Sequence, residues 1–262
     1  RSLCDWSSDV CSSDLGQEHC LVWLPRDRVG GDFYLVHRQA GRVLVGVADC
    51  AGHGVAGAMM TMLARAGVDR AIQALGIDSP ALLLSRTDRE LRALLGDAEG
   101  RRSLATSMDM ALVLIDPERQ RLRFAGARLG LYWSDGHRLE EVRGGGRSLG
   151  EGRPGHYEDR DIPLIPEATY TLSTDGLIDQ CGGPEGFSLG RERLEQWLLE
   201  VAELPASEQH SRLKSHLMHF RGSEPQRDDI TLLAFRAMQA GGATRRTGDA
   251  TSTWHQDGSD TT

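Results

Sequence analysis

Four aspartates, each set among apolar residues in its own short motif, constrain this chain more than any other feature. Asp32 stands in Val29-Gly30-Gly31-Asp32-Phe33-Tyr34 and Asp49 in Val47-Ala48-Asp49-Cys50-Ala51-Gly52-His53-Gly54. Asp175 stands in Ser173-Thr174-Asp175-Gly176-Leu177-Ile178-Asp179 and Asp228 in Arg227-Asp228-Asp229-Ile230-Thr231-Leu232. Each motif reads as a strand end or a tight turn. A lone carboxylate among strand residues is expensive to bury, and it answers by shifting its pKa. Several carboxylates converging on divalent cations remove that cost together, and hard oxygen donors suit Mg²⁺ or Mn²⁺.

The chain has 262 residues, ample for a sizeable core. Its net charge of -8 argues against a nucleic-acid partner, which calls for a basic face. The five cysteines, Cys4, Cys11, Cys20, Cys50 and Cys181, are odd in number and lack zinc-ligand spacing. They are expected as reduced thiols of a cytoplasmic domain. No apolar run approaches the roughly 20 residues that span a bilayer, so any membrane tether is expected upstream. Residues 1–15 (RSLCDWSSDVCSSDL) show no periodicity and no signal-peptide core, and they look like a translated sequencing adapter. The expected organisation is a non-native segment at 1–15, one domain at 16–238 and a disordered tail at 239–262.

Within the domain, 20–23 reads as a strand, and 33–37 with 42–48 as a hairpin around Gly41. The run 55–75, rich in Ala, Met and Leu, has helical character. Ser79-Pro80 makes a helix start, with Ser as cap and Pro in the first turn. That second helix is expected to reach residue 95, with a loop over 96–102. Strands are expected at 108–115, 121–125, 130–133, 137–142, 169–174 and 230–235, and helices at 190–202 and 206–220. The glycine-rich run 143–156 reads as a flexible connection. Gly144-Gly145-Gly146-Arg147-Ser148 lacks the lysine and the strand-to-helix context of a phosphate loop. Hairpins rather than βαβ units favour an α+β class, with two mainly antiparallel sheets flanked by helices.

The ordered set GGDFY, VADCAGHGVAGAMM, STDGLID and RDDITLL resembles the metal-dependent serine/threonine phosphatases of the PPM type, in their bacterial SpoIIE-like branch. The resemblance runs from about residue 21 to 235. DCAGHGVAGAMMTMLARA looks most like the phosphatase domains that end membrane-bound sensors of the SiaA type. The resemblance implies an α-β-β-α sandwich and two Mn²⁺ or Mg²⁺ ions. Such paired cations, roughly 3.5–4 Å apart, activate a water that attacks the phosphoserine or phosphothreonine phosphorus in line. It implies a phosphorylated bacterial regulatory protein, STAS-like or similar, as substrate. It also implies an upstream sensor that biases the helices at 55–95, with a homodimer as one route.

Carried over residue by residue, the resemblance makes Asp49 the ligand shared by both cations, with the Cys50 carbonyl beside it. Asp32, Asp175 and Asp228 match the other ligand positions, and Asp49 with Asp32 forms the catalytic pair. Asp228 and Asp229 are adjacent, so on a strand only one enters the cleft. The resemblance selects Asp228. If a helical turn follows Gly176, Asp179 shares a face with Asp175 and is a candidate for a third cation, against a solvated helix-start acid. His53 is a candidate acid for the leaving oxygen, against a plain loop residue. Arg26 and Arg28 are candidates for the substrate phosphate, against surface arginines. Asp109, opening an apolar strand, is a candidate neighbour of the ligands. Two further readings stay open: a catalytically weak or inactive partner-binding module, and a hydrolase of another phosphoester such as a nucleotide.

Overall fold

Strands buried on both faces explain why so many segments read as unbroken apolar runs. The computed structural model describes residues 19–95 and 107–236. The expectations for 1–15, for the loop at 96–102 and for the tail at 239–262 lie outside the described residues. The chain opens with β1 (His19–Leu24), β2 (Asp32–Gln39) and β3 (Arg42–Cys50), then α1 (Gly54–Leu75) and α2 (Pro80–Leu95). Next come β4 (Met108–Asp116), β5 (Arg121–Ala127), β6 (Leu131–Ser134), β7 (Leu139–Val142), β8 (Arg160–Pro163) and β9 (Thr169–Ser173). The last part holds α3 (Gly176–Asp179), β10 (Cys181–Gly182), β11 (Phe187–Ser188), α4 (Gly190–Val201), α5 (Ala206–Arg221) and β12 (Ile230–Arg236).

Two five-stranded antiparallel sheets result, ordered β1-β12-β9-β6-β7 and β2-β3-β4-β5-β8, with β10-β11 as a small ribbon. Alternate residues feed different cores, as a period of two requires. On β3, Val43, Val45 and Val47 pack between the sheets, whereas Leu44, Ala48 and Cys50 pack beneath the helices. On β12, Leu233 and Phe235 face the inter-sheet core, and Ile230, Leu232 and Ala234 face the opposite helix layer. Three cores separate four layers, so the expected α-β-β-α sandwich is present.

The helices follow from local rules. α1 lays Gly57, Ala64, Gly67 and Ala71 on its buried side, with Gly57 against the backbone of Gly31 and Gly52 and Gly67 facing Thr87 of α2. α2 starts where Ser79 and Pro80 predict, and the Leu82 N–H donates to Ser79 Oγ at 3.1 Å. Two features depart from expectation. β8 went unread because only Ile162 of its four residues is buried; its Asp161 pairs with Arg121 and Arg123 at the sheet edge. The glycine-rich run is tied into that sheet rather than left loose: Gly145 bridges Ala127 and Leu149 bridges Met108.

Candidate metal centre

Register brings three acids into one row. Asp32 lies directly opposite Asp49 across β2 and β3, and Asp49 directly opposite Asp109 across β3 and β4. Directly opposed residues share a face, so all three project beside Val47 and Ala111 toward the other sheet, at one end of the inter-sheet core. The facing sheet sends its acids from turns. Asp175 follows β9, Asp228 precedes β12, and the Thr174 N–H donates to the Thr231 carbonyl at 2.9 Å between them. Asp32 ties the sheets together: its Oδ2 accepts from Thr174 Oγ1 at 2.8 Å and from Thr231 Oγ1 at 2.7 Å.

Close backbone approach explains two of the glycines. A Cβ on Gly31 would stand 2.6 Å from the Cys50 carbonyl oxygen and 2.5 Å from that of Gly52. A Cβ on Gly176 would stand 1.9 Å from the Asp229 carbonyl oxygen, so the turns carrying Asp175 and Asp228 interlock only with glycine there. Asp229 fastens the same edge. Its Oδ1 accepts from the Arg26 N–H at 2.6 Å and its Oδ2 from the Gly31 N–H at 2.5 Å. With both oxygens on backbone amides, Asp229 acts as a hydrogen-bonding residue and Asp228 is the neighbour left for the cleft.

The electrostatics are those of acids lacking counter-charge. Burial, then the charge of Asp32 and Asp175, pushes the Asp49 carboxyl up to about 10, and its hydrogen bond to Asp175 reinforces the shift. Asp49 therefore keeps its proton well above the ordinary carboxylate range. Burial also lifts Asp32 to about 7, against the pull of the Thr231 and Thr174 hydroxyls, and Asp229 and Asp228 add to the rise. Asp179, at the end of α3, is raised by burial and by Asp175 and Asp228, and is drawn back by Arg227. Such an all-oxygen set fits a hard divalent cation, whose charge would take the place of the proton on Asp49. Among the described residues no three His, Cys, Asp or Glu side chains already stand close enough to hold an ion. Binding would thus require Asp49 to give up its proton and the carboxylates to turn toward a common point.

The remaining candidates divide by contact. The Cys50 side chain lies in the core beneath α1, with its thiol pushed up to about 12 by burial, so only its carbonyl can serve. His53 stands at the N-cap position of α1 without a side-chain capping bond, and its Nδ1 lies 3.1 Å from Asp27 Oδ2. Arg26 is committed through Nη1 to the Arg227 carbonyl at 2.9 Å. Arg28 is exposed and lines an apolar groove of about 520 Å³ with Trp23, Val29, Phe33 and Asp32. Asp109 accepts a hydrogen bond from Ser148 Oγ and lies 3.4 Å from Arg128 Nε. Sequence reasoning missed Thr174, Thr231 and Arg128. The threonines were legible in principle, as hydroxyl residues abutting two acidic turns, whereas Arg128 carried no local signal.

The family model for Stage II sporulation protein E (SpoIIE) matches residues 39–238, which include Asp49, Asp175 and Asp228. The chain belongs to the SpoIIE family. This SpoIIE-family chain is 46% identical to the SiaA-PP2C domain of Pseudomonas aeruginosa, with a TM-score of 0.80 over 86% of this chain and 88% of that one. The RsbU and RsbW domains of Rv1364c from Mycobacterium tuberculosis share its fold at 22% identity and TM-score 0.66, over 84% of this chain and 60% of that one. RsbX, solved in complex with magnesium, does so at 12% identity and TM-score 0.57, over 82% of this chain and 92% of that one. No curated protein matches significantly. The SpoIIE-family chain therefore has the fold of a PP2C-type phosphatase domain. Among its described residues no helix is long and apolar enough to cross a membrane.

Proposed function

We propose that the domain is a Mg²⁺- or Mn²⁺-dependent protein phosphatase that hydrolyses phosphoserine or phosphothreonine on a bacterial regulatory protein. The observation that carries this reading is the meeting of the acids at one sandwich edge: Asp32 lies directly opposite Asp49, and Asp175 and Asp228 approach closely enough to add to the rise that burial gives the Asp49 carboxyl. Asp32, Asp49, Asp175 and Asp228 would hold the cations, with the Cys50 carbonyl beside them. When bound, two divalent ions supply water activation and charge neutralisation for phosphoryl transfer.

The chain's own residues prepare that chemistry. Thr174 and Thr231 occupy one oxygen of Asp32 and leave the other for the cleft. Asp229 fixes the loop of Arg26 and Gly31. Asp179, raised by the same acids, is the candidate for an additional weaker cation.

The test is manganese-dependent release of phosphate from an aryl phosphate and from a phosphoserine peptide, using the protein and its Asp49→Asn and Asp228→Asn variants. Both variants should lose about 100-fold or more in turnover, the scale of removing a preorganised electrostatic group. Turnover that ignores manganese, or that survives both substitutions, refutes the reading. Manganese binding without turnover would instead favour a partner-binding module.

A further inference from the structure

Among the described residues, Arg128 is the cation ion-paired to a carboxylate of the acid row. It follows β5 directly, and its main chain is pinned: its N–H donates to the Gly145 carbonyl at 2.7 Å, and the Gly145 N–H donates to the Gly126 carbonyl at 2.7 Å. Its φ of 64° lies in the left-handed region, which an arginine adopts only under constraint. The other described non-glycine residues with positive φ, Ala40, Gln120 and Glu167, lie in strand-to-strand turns away from the acids. Because Ala127 pairs with Met110, Arg128 comes next to Asp109 of the adjacent β4, and its Nε stands 3.4 Å from Asp109 Oδ2. Asp109 is itself fixed, because Ser148 Oγ donates to its other oxygen. It sits directly opposite Asp49 and feels the charge of Asp175. The Asp109 side chain is 17% exposed and that of Arg128 56%, so one end of the guanidinium is anchored and the other faces solvent beside the cleft.

We propose that Arg128 contacts the phosphoryl oxygens of the bound phosphoester, with Asp109 and Ser148 as positioning residues that hold its guanidinium in place. The inference rests on the phosphatase reading. A phosphate dianion entering a cleft of carboxylates needs fixed positive charge, and a planar guanidinium already oriented by a carboxylate loses little freedom on binding it. Arg26 spends a nitrogen on the Arg227 carbonyl, and Arg28 lines an apolar groove with Asp32; neither has an ion pair with an acid of the row.

The test uses inorganic phosphate as the probe, measured by calorimetry in saturating manganese, alongside turnover of an aryl phosphate. Arg128→Gly is the main variant, because a positive φ suits glycine and folding should be preserved or improved. Phosphate affinity should fall about 10- to 100-fold, the range for losing charged hydrogen bonds, while manganese affinity stays unchanged. Added guanidinium should recover part of the loss, and Arg128→Lys should not, since an ammonium cannot grip Asp109 and phosphate together. Asp109→Asn should give a smaller loss, with the arginine present but unheld. If Arg128→Gly binds phosphate as tightly as the parent while Asp49→Asn still abolishes turnover, the assignment of Arg128 falls and the phosphatase reading stands. If Arg128→Lys matches the parent, or guanidinium restores nothing, Arg128 is structural and the proposal is overturned. If the parent binds neither manganese nor phosphate, both readings fall together.

Discussion

The two ends of the β2-β3-β4-β5-β8 sheet treat charge in opposite ways. At the end where β3 starts, three acids have arginine partners: Asp78 with Arg42, Asp116 with Arg119, and Asp161 with Arg121 and Arg123. At the end where β3 stops, Asp32, Asp49 and Asp109 lie side by side, and Asp175 and Asp228 arrive from the other sheet. One sheet thus carries a satisfied end and a frustrated end. Frustration against local rules is the expected mark of a functional site, because like charges placed directly opposite destabilise a sheet unless something else binds them.

The contrast can be broken most strongly through Asp229. Asp229→Ala removes the partner of two backbone amides and should cost about 3 kcal/mol, at the usual scale for hydrogen bonds to a charged group. Chemical denaturation would measure this, and a loss below about 1 kcal/mol would remove Asp229 from its fastening role.

Asp49→Asn should do the reverse to the cation-free protein. It keeps the shape and removes the proton that Asp49 must take up on folding, so stability near neutral pH should rise by about 1 kcal/mol even as turnover disappears. A variant that is both inactive and less stable would mean that the acids are not frustrated.

Acid and alkali should also separate the two ends. Asp49 and Asp32 have folded pKa values raised to about 10 and about 7, so between the ordinary carboxylate range and those values the folded chain binds more protons than the unfolded one. Cation-free stability should therefore fall as pH rises from about 4 through 7 toward 10, and manganese should flatten that slope. Asp161 acts oppositely. Arg123 holds its carboxyl below the ordinary range, so its small contribution is present above that range and lost in acid. Melting curves at pH 5, 7 and 9, with manganese and with chelator, would test the slope; a chelated protein that gains stability with pH contradicts it.

The smallest effect belongs to the satisfied end. Arg123→Ala removes an exposed ion pair with Asp161 and should cost less than about 1 kcal/mol, leaving turnover unchanged. A large kinetic effect there would show that the two ends are coupled.

Much of this architecture was readable from the chain. The four layers follow from strands buried on both faces, and the Ser79-Pro80 start and the glycine turns state their own geometry. The four acidic motifs were visible because each breaks an apolar run. What escaped has a common cause, since it depends on register rather than on local composition. Asp109 is legible as an acid opening an apolar strand, but Arg128 reaches it only through the pairing of β4 with β5 and a backbone turn pinned by Gly145. β8 and the β10-β11 ribbon bury too few side chains to leave a pattern. Arg26 and Arg28 were chosen for nearness in sequence, and nearness alone does not distinguish a guanidinium bound to a carbonyl from one free to meet a ligand.

The clasp on Asp32 makes the site a property of the closed sandwich. With one oxygen given to Thr174 and Thr231 of the facing sheet, Asp32 offers a cation a single prong, and that prong is aimed only while both sheets are docked. Cation affinity is then a gauge of tertiary assembly. A chain whose sheets have formed but not closed would carry every ligand in its sequence and have no site.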